Sequence, residues 1–175
     1  MSEPSENSDF PPTLVLGLGN LLREDEGAGI HAVLHLESRY PEIPGVRCMD
    51  GGTGGMHLVT ELEGLDQLLV VDATQLHEAP GTVRLYPETE MDRFVARRTG
   101  WNVHDVGLPD LMAAASLLPD GLPPRRALVA IQPYSFGWTD RPSGPVAAAM
   151  PRAADAIREQ LIAWSPRAGK PEAAS

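Results

Sequence analysis

The sequence predicts an α/β fold: one doubly wound, mostly parallel sheet with helices on both faces. Three observations predict it. The run Gln67-Leu68-Leu69-Val70-Val71 is apolar on both faces and ends on Asp72, as in a strand covered on both sides. Strand-like runs alternate with helix-patterned stretches along the chain. Two of those strands run directly into glycine-rich loops, at 17–29 and 50–55. In open sheets of this class ligands sit outside the carboxyl ends of the strands, which is where Asp72 falls.

Each element follows from its residues. Met1 to Pro12 is polar and acidic with three prolines and is expected to be a disordered tail. Thr13 to Gly17 reads as the first strand. Gly17 to Gly29 follows as a loop, with four glycines around Glu24, Asp25 and Glu26, where backbone and ligand can approach closely. From Ala28 to about Tyr40, Ile30, Val33 and Leu34 fall at helical spacing. Val46 to Met49 is a short second strand leading into Asp50-Gly51-Gly52-Thr53-Gly54-Gly55. Met56 to Glu63 is a short helix. Gln67 to Val71 is the pivotal strand, and Thr82 to Tyr86 alternates like an exposed edge strand. Pro87 to Gly100 suits a short helix plus loop, and Pro109 to Leu118 a Leu/Ala-rich helix. Arg126 to Gln132 is the last buried strand, followed by a long loop from Pro133 to Pro145 and a terminal helix to Trp164. Pro151 is expected to kink that helix. The predicted domain is 13–164, with tails at 1–12 and 165–175.

Composition narrows the class. The 175 residues are 42% hydrophobic but only 5% aromatic, so the core must be Leu, Val, Ala and Ile. A net charge of −10 argues against nucleic acid and gives no reason to expect an anionic membrane. One cysteine, Cys48, excludes an internal disulfide and a CxxC metal site. No apolar run reaches the length of a transmembrane helix. The first residues lack a basic and an apolar region, so no signal peptide is expected there. A cytoplasmic monomer is expected.

Three polar groups stand out by placement. Glu26 lies in the loop after the first strand, Asp72 ends the central strand, and His104 precedes a helix. Two carboxylates and an imidazole suit a divalent transition metal that keeps open positions. Other patterns fail. Gly17-x-Gly19 would need a third glycine at position 22, which is Leu22, to bind a dinucleotide. His31 and His35 lack the glutamate of a zinc peptidase helix, since position 32 is alanine, and read as surface or packing residues. His57 and His77 read as solvent-facing, and Cys48 as a small hydrophobe in its strand. Glu24 and Asp25 read as a solvated face of their loop, with Asp25 able to support Glu26. Asp105 can orient His104 or cap the next helix.

Four segments carry a resemblance: GLGNLLREDEGAG (17–29), DGGTGG (50–55), LLVVDA (68–73) and HDVGLPDLM (104–112). In this order and spacing the chain resembles the endopeptidases that mature nickel–iron hydrogenases, over about 13–164. The resemblance implies a phosphorylase/hydrolase-like α/β fold. It implies a peptidase that removes the C-terminal extension of the hydrogenase large-subunit precursor after nickel insertion. By that resemblance Glu26, Asp72 and His104 contact nickel, which the substrate carries and the free enzyme does not hold permanently. Asp50, with Gly51, Gly52 and Thr53, matches the loop linked to cleavage and substrate recognition, and Asp50 or Asp72 is the general-base candidate. The sequence departs from the pattern in its first dozen residues and in the loop Gln132 to Trp138, which is expected to set partner specificity. Two other readings stand beside it: a non-catalytic nickel-binding scaffold of the same pathway, and an esterase resembling peptidyl-tRNA hydrolase through Gly17-Leu18-Gly19-Asn20.

Overall fold

The computed structural model describes residues 10–97 and 107–165. Five strands form one sheet: β1 (Thr13–Gly17), β2 (Val46–Asp50), β3 (Gln67–Ala73), β4 (Val83–Pro87) and β5 (Arg125–Ile131). Their order is β2-β1-β3-β5-β4. The first four in that order run parallel; β4 pairs antiparallel with β5 at the edge. The mostly parallel α/β sheet read from the sequence is the one observed.

The strands are apolar on both faces because both faces are covered. Val15, Leu69, Val71 and Val129 pack under α1 (Ala28–Arg39) and α4 (Gly144–Trp164). Leu14, Leu16, Leu68, Val70 and Leu128 pack on the other side. There they meet a 3-10 segment (Met56–Leu62), α2 (Thr89–Ala96) and α3 (Leu108–Ala115). Alternate strand residues therefore enter alternate cores. A bidentate pair fixes α2 to β5, with Arg126 donating to Asp92 at 2.8 and 2.5 Å. Such forked guanidinium–carboxylate contacts add orientation as well as energy.

The short helix expected after the second glycine loop is a 3-10 helix, Met56–Leu62. β3 runs two residues past the expected Val71, so Asp72 is its second-last residue. The terminal helix starts two residues before the expected Val146 and includes Pro151, with Val146, Ala149, Ala153 and Ile157 fully buried on both sides of the proline. At the N-terminal side, the Pro12 carbonyl accepts the amides of Asp66 and Gln67. Among the described residues no helix is long and apolar enough to cross a membrane.

Candidate functional site at the carboxyl edge of the sheet

The loops that follow β1, β2, β3 and β5 all leave from one edge of the sheet, since these strands are parallel and in register. Gly17 pairs with Asp50 on one side and Val71 on the other. The loops are then stitched together by backbone. Leu18 N donates to Val71 O at 2.8 Å, Gly51 N to Gly17 O at 2.8 Å, and Gly19 N to Gly52 O at 2.7 Å.

Two glycines set how closely the acidic turn approaches β3. A Cβ on Gly29 would lie 2.2 Å from Val71 O and 2.4 Å from Leu18 O. Only a residue without a side chain lets the first turn of α1 sit on the end of β3. Gly19, at φ +136, lies against Glu26, whose carbonyl oxygen would be 1.8 Å from an added Cβ. These contacts carry the 3-10 turn Glu24–Gly27 to the strand end that bears Asp72. Glu26 and Asp72 are both half-buried. Arg23 Nε lies 3.5 Å from Glu26 Oε2, an electrostatic contact, since that buried Nε makes no hydrogen bond.

Asp50 sits apart from this pair. It lies on β2 with β1 between it and β3, about 10 Å away by two strand spacings. Its Oδ1 accepts the Gly52 amide at 2.8 Å, closing the turn that contains Gly51. Gly51 is buried, whereas Asp50 and Thr53 are exposed and Gly52 has open space where a side chain would be. The carboxylates Asp50 and Asp72 thus belong to two distinct parts of the edge. His104 and Asp105 lie outside the described residues. Among the described residues no group of three or more His, Cys, Asp or Glu is placed to hold a metal.

The acidic loop holds what its sequence conceals. Asp25 is fully buried, not solvated. Both its oxygens accept, from the amides of Tyr134 (2.8 Å), Ser135 (3.1 Å) and Ser143 (2.7 Å) and from the Ser143 hydroxyl (2.8 Å). Glu24 is also half-buried, and its Oε2 accepts the Ser135 hydroxyl at 2.9 Å and the Gly137 amide at 2.6 Å. The loop after β5 is thereby clamped onto the turn that carries Glu26. Gln132 completes the edge. Its Oε1 accepts the Leu76 amide at 2.7 Å, and its Nε2 donates to Gln75 Oε1 and to Pro133 O, joining the loops after β3 and β5. No local signal marked these roles, because the donors to Asp25 lie more than a hundred positions away in sequence.

The remaining titratable groups have plainer surroundings. His31, in the first turns of α1, is held below its ordinary pKa by burial, opposed by the Asp140 backbone contact and the charges of Asp140 and Asp25. Cys48 packs in β2 against the α1/α4 core, and burial with the nearby Glu37 pushes its thiol up to about 11. A thiol raised this way carries little thiolate at neutral pH and suits a packing role in β2. His57 and His77 are exposed, as expected.

A family model described as hydrogenase maturation protease (HycI) matches residues 30–160. The hydrogenase expression/formation protein HoxM of Azotobacter vinelandii is 40% identical over 124 residues, which are 70% of this chain and 58% of that protein. The chain thus spans little more than half of that relative's length. The hydrogenase 2 maturation protease of Escherichia coli (strain K12) is 31% identical over 159 residues, 88% of this chain and 95% of that one. The solved structure of the hydrogenase maturating endopeptidase HybD from E. coli aligns with a TM-score of 0.74 at 31% identity, over 90% of this chain and 93% of that chain. By the family model and the relatives matched nearly end to end, the chain belongs to the hydrogenase maturation protease family.

Proposed function

We propose that the protein is an endopeptidase that removes the C-terminal extension of a nickel–iron hydrogenase large-subunit precursor once nickel has been inserted. The nickel belongs to the substrate, and Glu26, Asp72 and His104 are the residues that read it. The observation that carries this reading is the delivery of Glu26 to the end of β3, through the close approach of Gly29 to Val71 O and of Gly19 to Glu26 O. The approach seats the first turn of α1 on the end of β3, where a side chain at either glycine would meet backbone. It brings a second carboxylate to the strand end that already bears Asp72. A carboxylate pair with an imidazole is a donor set that fits nickel(II) and leaves positions for the precursor's own ligands.

The chemistry asked of the chain is peptide hydrolysis. A carboxylate takes a proton from water as its oxygen bonds to the scissile carbonyl carbon; the C–N bond then breaks and the amine leaves with a proton. A bound divalent metal supplies polarisation of the carbonyl or of the water. Asp72, at the carboxyl end of β3, is the candidate for proton transfer beside the metal-reading residues. Asp50 shapes the Gly51–Thr53 turn against which the substrate strand lies.

The test is mass spectrometry of nickel-loaded precursor incubated with the protein or with Glu26→Gln, Asp72→Asn and His104→Ala variants. The wild type releases the extension; each variant slows release at least about a hundredfold, the scale of losing a metal-directing ligand. Full processing by Glu26→Gln or His104→Ala removes the metal-reading assignment. No mass change with the wild type removes the peptidase reading and favours the scaffold.

A further inference from the structure

The segment 134–138 alternates. Ser135 and Gly137 face inward, Ser135 through its amide on Asp25 and its hydroxyl on Glu24, Gly137 through its amide on Glu24. Tyr134, Phe136 and Trp138 face outward and are 68%, 51% and 81% exposed. Exposure alternates along this irregular segment, and its backbone is held on the inner side, the Tyr134 amide also donating to Asp25 at 2.8 Å. A third of the nine aromatic residues in the chain stand in this one row. The row has no freedom to fold back onto the core, because its backbone is held by two carboxylates. Glu24, which supplies part of that hold, has φ +49, a left-handed backbone state that a non-glycine residue rarely adopts. Its amide is bound in turn to Thr139 O at 2.9 Å.

We propose that Tyr134, Phe136 and Trp138 form a docking ledge for the folded body of the protein substrate, with Glu24 and Asp25 as positioning residues that fix the ledge relative to Glu26. The inference rests on the function proposed above and names where the substrate is gripped, as distinct from where it is cut. Continuity with the site selects the occupant. The Arg23 guanidinium lies over the Trp138 ring at 4.7 Å and its Nε lies 3.5 Å from Glu26, so one side chain spans ledge and acidic turn. A second copy of this chain seated on the ledge would cover that turn. A small ligand calls for a concavity, whereas these three rings stand exposed on the surface. Rings held by their backbone lose little freedom on docking, which is how a few aromatics dominate an interface.

The experiment measures affinity of the purified precursor by calorimetry, and processing kinetics, for the wild type, the triple variant Tyr134→Ser/Phe136→Ser/Trp138→Ser, Glu24→Ala, Glu24→Gln and Leu117→Ser. Leu117 is 85% exposed on the loop after α3 and controls for loss of any exposed apolar residue. The triple variant is expected to lose affinity at least about thirtyfold, with the loss in KM larger than in kcat. Glu24→Ala loses affinity in the same direction, Glu24→Gln restores most of it, and Leu117→Ser leaves it unchanged. Wild-type affinity in the triple variant overturns the ledge while leaving the peptidase reading intact. Wild-type affinity in Glu24→Ala overturns the positioning role, and a Leu117→Ser loss equal to the triple variant's overturns site specificity. A wild type that binds precursor without cutting it overturns the peptidase reading and leaves the ledge standing. One that neither binds nor cuts overturns both.

Discussion

The two glycine-rich loops look alike as text and differ as matter. Each follows a parallel strand, and each mixes glycine with acid. In the loop after β1, glycines mark places where backbone touches backbone, and Asp25 and Glu24 are engaged inside while Glu26 stays half-buried. In the loop after β2, Gly52 has nothing within 4 Å of where a side chain would be, and Asp50 and Thr53 are exposed. The first loop is a joint; the second is an opening. A glycine count does not separate these cases. What separates them is whether a Cβ would meet backbone or solvent.

That contrast breaks if substitutions in the two loops cost the same. The largest expected effect is Gly29→Val. Its branched side chain would meet Val71 O and Leu18 O, neither of which can move without parting α1 from the sheet. A loss of about 3 kcal/mol or more is expected, read in a thermal melt as a fall in Tm of roughly 10 °C. Asp25→Ala comes next. It strips the acceptor from three amides and a hydroxyl, and with water entering to solvate some of them about 2–3 kcal/mol is lost. Urea unfolding measures it; a loss below about 0.5 kcal/mol, the level of an ordinary surface change, would return Asp25 to the solvated face its sequence suggested.

In the open loop, Gly52→Ala meets only its φ of +55 and costs about 1 kcal/mol. Asp50→Asn keeps an acceptor for the Gly52 amide while removing the charge. It is expected to melt like the wild type yet process precursor more slowly; unchanged processing would reduce Asp50 to a turn residue.

The smallest effect sharpens the contrast through pH. His31 lies under the first loop, with its folded pKa held below the ordinary value by burial. As pH falls below about 6.5, the unfolded chain takes its proton first, so stability declines until the folded imidazole is also protonated. Above that range both states are neutral and the contribution is flat. Denaturation midpoints at pH 7.5 and 5.5 should differ more for the wild type than for His31→Gln.

Much of the fold was legible because its cause is local. Leu68 to Val71 reads as a doubly covered strand since no polar residue interrupts it, and Thr82 to Tyr86 reads as an edge because its residues alternate. The terminal helix across Pro151 was legible too, from apolar residues on both sides of the proline. That 56–62 winds as a 3-10 helix was not legible, since no residue in it marks one helical path over the other. That Glu26 and Asp72 fall at the carboxyl edge of the sheet was legible from position alone. The burial of Asp25 was not, because its four donors come from residues more than a hundred positions away, and nothing in a run of three acids says which one turns inward.

Those distant donors also order events in time. The Asp25–Ser143 contacts join the first strand's loop to the entrance of the last helix, 118 residues later. During synthesis, a chain released only as far as residue 120 has its β1, β2 and β3 segments in hand but no donor for Asp25 and no neighbour for β3 on the β5 side. Long-range closures of this kind form late. The acidic turn therefore reaches its final shape after nearly the whole protein has emerged, and a truncated product carries the residues of the site without the site.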